Sequence, residues 1–190
     1  MTFEDFSLTG ALYHIVSIMD LEKTLAEGIR YDDKLTYLNK YYDFHNYFDK
    51  YKTRDIPSWV ERRRAIFCSM NFKETNNWHS HTALLKVKTD IKKCWVCNEN
   101  KANPLFEPFI LQHIPGFKKA KDFINMRGPL MVEEYWKTSL SLEENMKIRR
   151  DKEKAYDAEV LIFHDIPPEN IECLYIISDH SIMTPEKFID

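Results

Sequence analysis

Two residues stand where strands begin or end and carry side chains able to do chemistry. His14 lies near the close of a run of strand formers at residues 10–16, and Glu159 opens Glu159-Val160-Leu161-Ile162-Phe163. A carboxylate so placed can stabilise a developing positive charge or accept a proton, and an imidazole can orient a ligand or shuttle a proton. Each has a plainer reading: a lone strand-end histidine is more often structural, and a carboxylate at a strand start commonly faces water. Arg62-Arg63-Arg64 offers planar forks suited to phosphate or carboxylate, although single basic clusters are usually solvated surface. Cys94 and Cys97 form a lone CxxC. A structural zinc takes four ligands, no second pair accompanies these two, and although His79 and His113 are possible additional ligands, strand-like Trp95-Val96 makes the two thiols alternate along a strand, so structural cysteines are expected. No GxxxxGK[ST] loop, GxGxxG turn, GxSxG elbow or HExxH helix occurs, so any chemistry must come from dispersed residues.

The elements that must position them can be read from periodicity. After the first strand, Ser17 and Asp20 open a helix carrying Leu21 and Leu25 on one face, and Gly28 suits its stop. Residues 33–51 are rich in tyrosine and phenylalanine at loose helical spacing, which predicts one or two helices; the rings could stack on bases, but core packing explains them as well. Strands are predicted at 64–70, 82–87 and 94–97, with residues 71–80, including Trp78 and His79, as a polar loop. A polar turn and a proline-punctuated segment then run to Pro115, and a lysine-rich helix follows. A charged helix is predicted at 141–155, strands at 159–163 and 171–177 around the Pro167-Pro168 break, and at most a short helix from Thr184. Strands interrupted irregularly by helices indicate an α+β fold, and neither repeat nor linker divides residues 1–190, so one domain is expected.

The totals narrow the class. With 44% hydrophobic residues and only 4 glycines and 8 prolines, the chain is neither disordered nor collagen-like. A net charge of -3 argues against attachment to nucleic acid by bulk charge, yet leaves local patches at Lys92-Lys93, Lys118-Lys119 and Lys147 to Arg150. The absence of a signal peptide or a long apolar run, and four scattered cysteines, predict a soluble cytoplasmic protein with no membrane partner.

The order of these pieces adds something that none carries alone. Leu12-Tyr13-His14-Ile15-Val16-Ser17, with its helix up to Gly28, resembles the opening of the DarT family of ADP-ribosyltransferases; related openings occur in RNA 2'-phosphotransferases. Arg64-Ala65-Ile66-Phe67-Cys68-Ser69-Met70 resembles the family's second block, without its usual Val-Pro-Phe-Tyr-Phe wording. Trp95 to Ala102 is similar to its strand-turn segment. Tyr135-Trp136, a basic helix at residues 147–154, Ala158-Glu159-Val160-Leu161-Ile162 and Pro167-Pro168-Glu169-Asn170-Ile171 follow in the family order. The resemblance spans residues 12–177, with Asp157 where a glutamine is usual.

It implies an ADP-ribosyltransferase-like split β-sheet core with flanking helices, NAD as co-substrate and no metal. It implies that Glu159 is the catalytic carboxylate, steadying the oxocarbenium-like ribose and helping deprotonate the acceptor. Arg64 is the implied functional arginine, with Arg62 and Arg63 as alternatives. His14 and Ser17 would fix NAD by hydrogen bonds, and Tyr13, Tyr37 or Tyr41 would stack on nicotinamide. The implied acceptor is a nucleobase in single-stranded DNA, and the implied setting a toxin with a partner antitoxin or a phage-defence system. The alternatives are transfer to RNA or to protein, a non-catalytic NAD-fold binding module and a 2'-phosphotransferase-like enzyme.

Overall fold

The computed structural model describes residues 3–30, 41–70, 80–179 and 181–188. Alternating strand formers at residues 11–17 and in the later apolar runs give eight strands among the described residues: β1 Ala11–Ser17, β2 Ile66–Ser69, β3 Thr82–Lys88, β4 Cys94–Asn98, β5 Leu140–Ser141, β6 Ala158–Ile162, β7 Ile171–Ile177 and β8 Ile182–Met183. They form one sheet in the order β5-β4-β6-β2-β1-β3-β7-β8, antiparallel at every pairing. Six α-helices accompany it among the described residues: α1 Phe6–Thr9, α2 Leu21–Glu27, α3 Tyr42–Lys50, α4 Glu99–Leu111, α5 Lys118–Lys137 and α6 Leu142–Ile148. The fold is mixed α+β, and none of these helices is long and apolar enough to cross a membrane.

The sheet is weakest at its middle. β1 pairs with β3 along its whole length, from Ala11↔Lys88 to Ser17↔Thr82, but meets β2 only at Tyr13↔Ser69. On the far side β2 pairs fully with β6, from Ile66↔Ile162 to Ser69↔Glu159. Two well-bonded halves are therefore joined at a seam with one registered pair.

Side-chain alternation sorts the core between the two faces. Leu12 and Val16 of β1, Cys94 and Val96 of β4, and Val160 and Ile162 of β6 pack with Phe6 of α1 and Leu142 of α6. Trp95, Cys97 and Leu161 face the other way, against Phe44 and Phe48 of α3, Leu105 and Phe109 of α4 and Tyr135 and Trp136 of α5. Cys94 and Cys97 thus lie on opposite faces of the sheet and do not face a common ligand.

Several elements depart from their sequence reading. The proline-punctuated segment is helical: Pro104 and Pro108 sit inside α4, where they cannot donate internal hydrogen bonds, while Ala102, Leu105 and Phe109 are buried at helical spacing. Tertiary burial outweighs the local proline penalty. β2 starts at Ile66, because Arg62–Arg64 forms a 3₁₀ turn instead of strand. The charged helix expected at 141–155 is only α6: Ser141 caps it, accepting from the Glu144 amide at 3.1 Å, and it ends at Arg149 with φ 55. The basic residues beyond it do not continue a helix. Arg149 bonds Asp5 at 2.9 Å and Asp151 at 2.8 Å, and Lys152 also bonds Asp5, tying this turn to the cap of α1. Of the predicted aromatic helix at 33–51, α3 is the described part; Tyr37, Trp78 and His79 lie outside the described residues.

Gly28 ends α2 at φ 89 and lets Ile29 pair with Ile166, which carries the chain on to Arg30. A Cβ there would lie 2.3 Å from the Ile166 carbonyl oxygen. Gly28→Ala is expected to cost roughly 2 kcal/mol and lower the melting temperature by about 4–8 °C in thermal denaturation. Gly10→Ala, where a Cβ meets nothing within 4 Å, should lower it less.

Candidate functional site

The seam opens into a cavity of about 450 Å³, within the range of small-molecule sites. Its floor is β1 at Tyr13, His14 and Ile15, β2 from Ile66 to Ser69, and Glu159 of β6. Tyr41, Phe44 and His45 form one wall from α3 and its start; Glu99, Asn103 and Phe106 of α4 form the other. Arg30 and Arg62 are its guanidinium groups.

Glu159 is held by two elements at once, the turn that carries Arg62 and α5. Arg62 Nη1 donates to Glu159 Oε1 at 2.5 Å, and the Tyr135 hydroxyl of α5 donates to the same oxygen at 2.9 Å. Arg62 Nη1 also donates to the Tyr135 hydroxyl oxygen, and Arg62 Nε donates to His45 Nδ1 at 2.9 Å. The guanidinium lies 4.9 Å from the Phe48 and Phe67 ring centroids and 5.0 Å from that of Tyr135. Both charged side chains are almost wholly buried, at 5% and 8% exposure. The 3₁₀ turn aims Arg62 inward because Asp49 of α3 accepts from the Arg62 amide at 2.7 Å and the Arg63 amide at 3.1 Å.

Burial and charge set the ionisation of this group. Burial opposes the Arg62 charge, but Glu159 and Tyr135 outweigh it and hold the guanidinium above its ordinary pKa. Burial, with Arg62 beside it, pushes His45 from 6.5 down to about 2. The imidazole is therefore neutral with its proton on Nε2, the tautomer in which Nδ1 can accept from Arg62. Burial first, then the charges of Glu159 and Asp157, raises the Glu99 carboxyl.

His14 sits in the seam itself. Its Nδ1 lies 2.7 Å from the Phe67 carbonyl oxygen of β2. A carbonyl can only accept, so Nδ1 carries the proton and the imidazole bridges the parted β1–β2 seam to the Phe67 carbonyl.

The entrance of β6 is fixed by one side chain. Asn98 Oδ1 caps α4 through the Asn100 amide at 3.1 Å and accepts from the Asp157 amide at 3.1 Å, while its Nδ2 donates to the Ala155 carbonyl at 3.2 Å. The Glu99 amide donates to the Asp157 carbonyl at 2.8 Å. Glu99 and Glu159 are thereby set near one another across the turn.

Tyr13, His14 and Glu159 come together at this cavity, and Tyr41 joins them. The Tyr13 hydroxyl donates to the Glu4 carbonyl at 2.8 Å, which fixes its ring. Ser17 and Arg64 are not among the cavity residues. The Ser17 hydroxyl caps the turn after β1, accepting from the Met19 amide at 3.3 Å. Arg64 is 58% exposed and pairs with Glu61 at 3.8 Å, while Arg62, one of the alternatives read from sequence, lines the cavity. His45, Glu99, Asn103 and Phe106 were not singled out from sequence. Helical periodicity marks Phe44 and Phe48 as the buried stripe of α3, but nothing local shows that His45 would meet an arginine from another turn.

A buried ion pair tolerates removal of both charges better than of one. In urea unfolding, Glu159→Gln and Arg62→Met are each expected to cost about 3–5 kcal/mol, with the double variant well short of the sum. Acid should act through His45. Its folded pKa lies below its ordinary 6.5, so the unfolded chain takes up the proton first and stability falls as pH drops from 7 towards 2. Between pH 7 and 5 the protein should lose about 2 kcal/mol more than a His45→Gln variant in paired urea titrations.

Compared with known protein families, with curated proteins and with solved structures, the chain finds no match in any of the three.

Proposed function

We propose that this chain is an NAD-consuming ADP-ribosyltransferase whose acceptor is a base in single-stranded DNA. The observation that carries the reading is the meeting of His14 and Glu159, from opposite halves of the sheet, at one cavity on the seam, with Arg62 buried against Glu159. It rests also on the likeness of the chain to the DarT family, whose ordered blocks include both residues. An ADP-ribosyltransferase-like split sheet is part of the same proposal: the single Tyr13↔Ser69 pair is where the two halves would part.

Breaking the bond between nicotinamide and ribose builds positive charge on the sugar, and a preorganised carboxylate stabilises that charge without reorganising. Glu159 is such a group, because Arg62 and Tyr135 hold its Oε1 and leave one orientation for the side chain. The functional guanidinium at the carboxylate is Arg62 in place of Arg64, with a positioning role. Arg30, 45% exposed at the cavity, offers the planar fork suited to a pyrophosphate. With Nδ1–H committed to Phe67, the His14 ring would hydrogen-bond a ribose hydroxyl through Nε2. Tyr41 stacks on Phe106 with ring centroids 5.7 Å apart and presents an aromatic face to nicotinamide or base. The chain would then act as a toxin, with an antitoxin that reverses or blocks the mark as its partner.

The test incubates purified protein with radiolabelled NAD and, separately, single-stranded DNA, RNA and a cell-protein extract. Label on DNA is expected, with nicotinamide release at least a hundredfold lower in Glu159→Gln. Arg62→Lys should lose at least tenfold more activity than Arg64→Lys. Label on RNA or protein alone would keep the transferase and change its acceptor; no Glu159-dependent nicotinamide release would end the enzymatic reading.

A further inference from the structure

The wall opposite the sheet is chemically ordered. Glu99, Asn103 and Phe106 recur at i, i+4 and i+7 on α4 and are the α4 residues that line the cavity. Over that span the helix rises about 10 Å, long enough to run beside a nucleobase and its sugar. Phe106 and the stacked ring of Tyr41 supply a flat aromatic face at one end. Asn103, exposed, presents an amide that both donates and accepts, and Glu99 is half-buried near Glu159. A flat face, an amide and a carboxylate in that order suit a planar heterocycle entering edge-first with an N–H leading.

Resting on the transferase reading above, we infer that this α4 face is the acceptor subsite and that Glu99 is the base that takes the acceptor's proton. As the bond from ribose C1' to the nicotinamide nitrogen breaks, its electron pair leaves with nicotinamide. The acceptor nitrogen forms the new bond to C1', and its proton passes to the Glu99 carboxylate and then to water. Charge and atoms balance, with NAD and the base as the only reactants. Glu159 is ill-suited to this second duty because Arg62 and Tyr135 both bond its Oε1. Glu99 has the surroundings of a proton acceptor: desolvation and the nearby negative charges of Glu159 and Asp157 favour its protonated form, opposed by Arg62 and by a hydrogen bond from Asn103. Asn103 then positions the carboxylate as well as reading the base. The two carboxylates divide the work, one at the sugar and one at the acceptor.

The readout is a ratio: ADP-ribose transferred to a mixed-sequence single-stranded oligonucleotide, DNA or RNA, per nicotinamide released. Glu99→Gln, nearly isosteric, should lower that ratio at least tenfold while nicotinamide release stays above the Glu159→Gln level, and Glu99→Asp should recover part of the loss. A ratio within twofold of the parent protein overturns the assignment. So does parallel loss of release and transfer in both Glu99 variants, which would make Glu99 a participant in glycosidic cleavage or in folding. Absence of Glu159-dependent nicotinamide release from the parent protein fails the transferase reading first and this one with it; label on protein alone overturns the nucleobase subsite while leaving the transferase intact.

Discussion

A guanidinium and a carboxylate buried against each other organise this molecule. Neither Arg62 nor Glu159 has enough water to carry its charge alone, so each requires the other, and the requirement reaches into every layer around them. Arg62 draws the 3₁₀ turn against α3 through His45 and Asp49, and Glu159 draws β6 against α5 through Tyr135. Apolar side chains of similar volume would pack such a space at less desolvation cost. What the pair contributes is a single fixed position for a carboxylate oxygen at a cavity wall, which packing of apolar groups does not supply.

The second constraint is the seam. Antiparallel strands normally satisfy each other's backbone groups, and here β1 and β2 do so at one pair before separating. The separation opens the floor of the sheet, and the His14 ring bridges it to the Phe67 carbonyl. The same imidazole therefore holds the opening together and faces the cavity that the opening makes. Helical cover is displaced to match: α3, α4 and α5 pack over β4 and β6, and the cavity lies along the border of that layer.

Asn98 shows how a loop becomes rigid enough to serve a site. Its amide joins the end of β4, the first turn of α4 and the approach to β6, so the two glutamates on either side of that junction are tied into one hydrogen-bonded unit. Buried amides with several partners are costly to place and hard to replace, and they define one geometry where a looser turn would allow many.

The sequence by itself determined the main strand-forming runs, the α+β class and the place of Glu159 near a strand start, because these follow from local periodicity, whereas His14, read near a strand end, lies midway along β1 in full register with β3. Only the tertiary structure decided that α4 survives its two prolines, since the energy that holds it comes from Leu105 and Phe109 buried against other helices. It also decided that Arg62, two places before Arg64, turns inward: three successive arginines are locally alike, and the choice among them is made by Asp49, His45 and Glu159, residues that approach only when the chain has folded. Glu99 belongs with Glu159 for the same reason. Charges and hydrogen-bond partners distant in sequence acquire their strength from burial and proximity, and neither is a property of a segment read alone.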